Sequence, residues 1–187
     1  MVRKASEAVC TIRRMTPRDA DAILEMRVAN RDFFWPWEPQ GSHQLYTLDG
    51  VRRDLAQREI DWGEDRRYSF VIEAPDGRVA GGIILANVAR GAFQNANVGY
   101  YVGEEFNGRG FATEALKQVV RFAFEQARLH RVEAGIMDHN ERSKRVVTKA
   151  GFRREGTALH YLQIEGRWRD HNIYAITRED WEAARGS

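Results

Sequence analysis

A single cysteine, Cys10, serves the whole 187-residue chain, which excludes an internal disulfide and a cysteine-built metal site. An excess of one charge is missing as well: 29 basic and 27 acidic residues leave a formal net charge of +2. No global field therefore draws the chain to nucleic acid or to a membrane, and any basic site has to be local. No window approaches the roughly 18 uninterrupted apolar residues of a spanning helix, and Met1 to Ala8 lacks the apolar run of a signal peptide. No direct nucleic-acid binding, no membrane association and a cytoplasmic location are expected. His43, His130, His139, His160 and His171 show neither two-histidine helical spacing nor a nearby cysteine, so no metal is expected. Repeats, linkers and low-complexity segments are absent.

What is present is an ordinary globular composition, 43% hydrophobic and 30% charged. One domain over residues 10–182 is expected, between a tail at 1–9 and a tail at 183–187 whose Gly186-Ser187 reads as a cloning remnant.

Cys10 to Arg14 reads as a strand, and Thr16-Pro17-Arg18-Asp19 supplies a cap, a first-turn proline and an early acid for a helix with Ala20, Ile23, Leu24 and Val28 on one stripe. Arg31 to Thr47, with Phe33-Phe34-Trp35-Pro36-Trp37-Glu38-Pro39, reads as an aromatic loop whose prolines forbid a regular helix. A helix near Leu48 to Trp62 follows. Tyr68 to Glu73 and Arg78 to Asn87 flank the turn Ala74-Pro75-Asp76-Gly77 and predict an antiparallel pair. Asn97 to Val102 predicts another strand. Ala112, Ala115, Leu116, Val119, Val120 and Ala123, at intervals of three and four, predict a helix ending near Arg128. Arg131 to Asp138 alternates Val132, Ala134 and Ile136 inward, Asn140 suits the cap of a short helix ending at Gly151, and strands at Leu159 to Ile164 and Trp168 to Ile176 precede a terminal helix near Arg178. This mixture predicts an α+β domain, a mixed and mainly antiparallel sheet with helices on both faces.

Asn107-Gly108-Arg109-Gly110-Phe111-Ala112 stands between a strand and a strong helix, where free backbone N–H groups and the positive helix end favour phosphate. It is neither a Walker loop nor a dinucleotide fingerprint. Cys10, in a strand without a base partner, is a small core residue rather than a nucleophile.

The segment Tyr100 to Thr113 resembles the coenzyme A motif of the Gcn5-related N-acetyltransferases (GNAT), with Gly110 and Ala112 at its two small positions and Asn107 in place of the usual Gln or Arg. Asn140-Glu141-Arg142-Ser143, Lys149 to Gly156, Gly166 to His171 and Trp35-Pro36-Trp37-Glu38-Pro39 are similar to the RimJ-like ribosomal-protein-alanine branch, and the likeness runs from about Cys10 to Trp181. The resemblance implies the GNAT fold and acetyl-CoA as donor. It implies that the amides of Gly108, Arg109, Gly110, Phe111, Ala112 and Thr113 hold the pyrophosphate, and that Tyr101 and Val102 bind the pantetheine arm. Asn140 is implied to bind the coenzyme's amide arm besides capping a helix, and Ser143 to protonate the departing thiolate. The implied acceptor is a protein N-terminal α-amine, on a small-subunit ribosomal protein. A small-amine acetyltransferase and a non-catalytic acyl-CoA-binding module are the rival readings.

Many relatives carry a glutamate base in the strand before the phosphate loop, where this chain has Asn97-Val98-Gly99. An amine attacks only when neutral, so its proton needs another acceptor. Glu38 and His160 are the candidates, with His160 expected to face the same cleft. Trp35, Trp37, Asn97 and Tyr161 either line the acceptor slot or fill structural positions.

Overall fold

The computed structural model describes residues 9–38 and 41–186. The expected N-terminal tail apart from Val9, together with Pro39 of the aromatic motif and Ser187, lies outside the described residues.

Seven strands, β1 (Thr11–Arg14), β2 (Tyr68–Glu73), β3 (Val79–Ala89), β4 (Asn95–Val102), β5 (Arg131–Met137), β6 (Arg153–Ile164) and β7 (Arg167–Thr177), form one sheet in the order β1-β2-β3-β4-β5-β7-β6. Every neighbouring pair is antiparallel except β4 and β5, which run parallel. The helices of the described residues are α1 (Ala20–Ala29), α2 (Arg31–Phe34), α3 (Leu48–Gly63), α4 (Phe111–Glu125), α5 (Glu141–Lys149) and α6 (Arg178–Arg185).

Side chains alternate across each strand, so the sheet has two apolar faces to cover. Phe70 and Ile72 of β2 join the larger core with Ala115, Leu116, Val119 and Ala123 of α4, while Val71 between them joins Ile23 of α1 and Val51 and Leu55 of α3. Helices thus cover both faces, as the pattern predicts. The α4 stripe is fully buried from Ala115 on, with Leu116 and Val119 at 0% exposure, and each of these two side chains contributes roughly 1.5–3 kcal/mol. No helix of the described residues is long and apolar enough to cross a membrane.

Several boundaries differ from the sequence pattern for physical reasons. Thr16 and Asp19 do form a reciprocal capping box, but over a tight turn at Pro17–Asp19, and α1 proper starts at Ala20. Val28 is 53% exposed and Arg27 is buried in its stead; a hydrophobic scale misses this because Arg27 is ion-paired to Glu38. Arg31 to Thr47 is no open loop: it winds through α2 and the short turns Trp35–Trp37 and Ser42–Tyr46, Pro36 being tolerated in a first turn where no N–H is required. Strand β6 begins at Arg153 rather than Leu159, because its pairing with β7 continues across two register shifts.

Candidate active site

β4 and β5 pair at three positions only, Asn95 with Arg131, Ala96 with Val132 and Asn97 with Glu133. Beyond Asn97 the strands diverge, and a wedge opens in the sheet. A cavity of about 410 Å³ fills it, walled by Val98 to Tyr101 on one side and Ala134 to Met137 on the other. Local sequence makes the wall possible. A side chain at Gly82 would meet the Tyr101 hydroxyl at 2.6 Å, and one at Gly135 would meet Tyr161 at 2.9 Å. Gly82 lets the Tyr101 ring lie against the neighbouring strand, and Gly135 lets the Tyr161 ring reach β5 across the intervening β7.

Arg27 and Glu38 stand on the far side of this cavity. They form an ion pair with side chains only 6% and 14% exposed, and the Tyr46 hydroxyl donates to the second Glu38 oxygen at 3.1 Å. The Arg27 guanidinium also lies 5.1 Å from the Tyr46 ring centre and 5.3 Å from that of Tyr101. Burial, and then the Glu38 charge, push the Tyr46 hydroxyl up to about 12. Glu38 is therefore a buried, already matched carboxylate rather than a free one.

At the other end, Asn140 caps α5: its side-chain oxygen accepts from the Ser143 N–H at 3.1 Å. Tyr100 crosses the wedge and donates to the Ser143 carbonyl at 3.4 Å. Burial pushes the Tyr100 phenol up to about 12, so it stays protonated at any working pH. Tyr100, Tyr101, Asn140 and Ser143 line the cavity and also a groove on the opposite face, which continues past Val102, Asn107 and Ala112. Trp37 lies between the two openings, stacked on His139 with ring centres 5.4 Å apart.

The groove runs into a third concavity of about 500 Å³, lined by Gly108, Gly110, Ala112 and Thr113. Gly110 caps α4 with φ +88 and no side chain closes the helix end, so the first-turn amides are open. The Asn107 side chain ties the loop back, donating to the carbonyls of Val102 and Gly103 at 3.2 and 3.0 Å. Arg109 stacks on Phe106 and Phe111 instead of lining this concavity, and Phe111 is core. At these two positions only the backbone is offered to a ligand.

Facing the loop are Arg142, Arg145 and Lys149, which the sequence analysis did not single out. They lie three and four apart on α5, hence on one helix face. Unlike Lys144 on the same helix, which is held by Asp138 and Glu141, none of the three forms an ion pair among the described residues.

Not every expected residue reaches the cavity. The His160 side chain is 79% exposed, on a bulge of β6 with φ +48, and its imidazole stands 3.9 Å from Asp170. The expectation that it faces the cleft is overturned, because the register shift between Ala158 and Leu162 turns it outward. Trp35 lines only a small outer hollow beside Glu38. Asn97 sits at the closed end of the wedge, bonded to Asn87 and Glu133, and Tyr161 packs behind the wall against Gly135 and His171. Cys10 is buried, and burial raises its thiol to about 11, leaving it protonated and unreactive. Among the described residues no three side chains could hold a metal ion together.

A split parallel pair, a glycine-capped helix end and a basic helix face form one continuous channel. A family model described as an acetyltransferase (GNAT) domain matches residues 10–153. The chain is a GNAT acetyltransferase. A probable N-acetyltransferase of Bacillus subtilis (strain 168), YjcK, is 38% identical over 172 residues, covering 91% of this chain and 95% of the relative. The [ribosomal protein uS5]-alanine N-acetyltransferase of Escherichia coli (strain K12) is 33% identical over 175 residues, covering 93% of this chain and 90% of the relative. The structure of Mycobacterium smegmatis RimJ in complex with CoA-disulfide superposes with a TM-score of 0.85 at 32% identity, covering 93% of this chain and 88% of that one. This acetyltransferase is accordingly RimJ-like in sequence and in fold.

Proposed function

We propose that this acetyltransferase takes its acetyl group from acetyl-CoA and places it on a protein N-terminal α-amine, an alanine of a ribosomal protein being the favoured acceptor, by direct transfer in a ternary complex. The observation that carries the reading is the junction of Tyr100, Tyr101, Asn140 and Ser143. These four residues line both the groove and the cavity, so a donor laid in the groove and an amine entering the cavity meet there. The Escherichia coli and Mycobacterium smegmatis proteins support the choice of acceptor and donor respectively.

The residues present fit the coenzyme. The open amides of the α4 end and the unpaired Arg142, Arg145 and Lys149 bind phosphate oxygens. Tyr101 and Val102 offer wall backbone that β5 does not pair, and a backbone N–H near Val102 polarises the reacting carbonyl. Acetyl-CoA, when bound, supplies an acetyl group activated as a thioester. Ser143 gives a proton to the departing sulfur. The Arg27–Glu38 pair presents a carboxylate that orients an incoming ammonium. A site that operates on ribosomal proteins belongs in the cytoplasm.

The test is a mass-spectrometric screen with acetyl-CoA against peptides beginning Ala, Ser or Met, the same peptides blocked at the N-terminus but carrying lysine, and polyamines. Acetylation of the free α-amines is expected. Equal rates on blocked lysine peptides, or transfer to polyamines alone, overturn the acceptor; absence of thiol release with every amine overturns catalysis.

A further inference from the structure

His171 is a buried histidine to which the reading above gives no task. It is 3% exposed, lies on β7 opposite Met137 of β5 and lines the acceptor cavity together with Ser143. Its Nδ1 is 2.9 Å from the Arg169 carbonyl oxygen. That oxygen can only accept, so Nδ1 carries a hydrogen, and in the neutral ring Nε2 is the nitrogen with the free lone pair. Among the described residues nothing donates to Nε2, the Nδ1 contact being the ring's one hydrogen bond. The Tyr161 ring, 5.5 Å away, braces the imidazole from behind.

The carboxylates around the ring are already matched, while Arg169, two residues back on the same strand, keeps a buried Nε without a hydrogen-bond partner among the described residues. From β5, Glu133 is paired to Arg131; across the cavity, Glu38 is paired to Arg27; on its own strand, Asp170 faces His160. Tyr161 of β6 is uncharged, its hydroxyl raised by burial and then by Glu133. Asn97 leaves β4 without a carboxylate to receive a proton.

We propose that His171 Nε2 accepts the proton of the incoming amine. The inference rests on the α-amine reading. As the amine lone pair forms the C–N bond to the thioester carbonyl carbon, the N–H bond breaks, its electrons stay on nitrogen and its proton passes to Nε2. The C–S bond breaks with its electron pair on sulfur, which takes the Ser143 hydroxyl proton, and the imidazolium proton, relayed through water, restores that hydroxyl and leaves the ring neutral. Imidazole exchanges protons near neutrality. An α-amine, whose ammonium has an ordinary pKa of about 8, is partly neutral and able to attack at such a pH, whereas a lysine of about 10.4 is not.

Two measurements test this. In the coenzyme-free protein, 15N NMR of the His171 ring is expected to show Nδ1 protonated and Nε2 bare; an Nε2–H tautomer overturns the proposal. In kinetics, His171→Gln is expected to lower kcat about 100-fold with coenzyme affinity kept, and to abolish the fall of the parent's kcat on the acid side of neutrality. A variant that keeps both kcat and that acid limb while still acetylating α-amine peptides overturns His171 alone. If the parent uses a polyamine and no peptide, the α-amine reading fails, and the same two readouts with that amine decide His171. If the variant does not fold, the ring tautomer of the parent decides.

Discussion

Asn97 and Glu133 face each other as the last paired residues of β4 and β5, with the Asn97 amide nitrogen 3.5 Å from a Glu133 carboxylate oxygen. The contact closes the narrow end of the wedge. A glutamate at position 97 would stand directly beside the carboxylate that the neighbouring strand already holds.

Asn97→Glu therefore sets two carboxylates side by side, and the variant is expected to lose stability, up to about 1 kcal/mol at neutral pH. One carboxyl should have its folded-state pKa raised above its unfolded value. That stability is present at low pH and lost as pH rises through the raised value, so the deficit should be smaller at pH 5 than at pH 8. Thermal melts at the two pH values check the sign, and an equal deficit at both refutes the like-charge account.

Glu38→Gln leaves Arg27 buried without its anion. Breaking such a pair costs about 3 kcal/mol, and the peptide KM should rise as well. Urea unfolding separates the two effects. Arg27→Met combined with Glu38→Gln should recover stability but not KM, since the apolar stem still packs against Tyr46 and Tyr101.

Gly110→Glu places bulk and negative charge at a φ of +88 beside the open α4 amides. Acetyl-CoA affinity should fall about 100-fold or more by calorimetry, two or more charge-assisted contacts being lost. A folded variant that binds as tightly as the parent removes the loop from coenzyme binding.

Arg145→Ala should weaken coenzyme binding about tenfold, the size of one charge-assisted hydrogen bond. The loss should shrink in high salt, because the cation lies in a solvent-open concavity. Lys144→Ala, on the same helix but already held by Asp138 and Glu141, serves as the control with little effect.

What the sequence made legible was local. The α4 stripe, the Asn140 cap and the glycine at the α4 start depend on residues within one or two turns of each other, and each is present. The Arg142, Arg145 and Lys149 face was readable from its spacing but was hidden inside a motif read for Asn140 and Ser143. Arg27 could not be read as buried, since its partner arrives from a separate turn eleven residues on. Nor could the outward turn of His160, the inward place of His171 or the parting of β4 from β5. Those follow from register shifts and from pairing between strands about 36 residues apart, as the Asn97–Glu133 contact is, and no local pattern encodes them.

The stack of Trp37 on His139 gives the enzyme an optical gauge of its own. The indole is 39% exposed and spans the boundary between groove and cavity, so its emission should change as either chamber fills. With Trp37→Phe as the blank against the other four tryptophans, donor and acceptor binding become visible in turn by stopped-flow fluorescence, without a label.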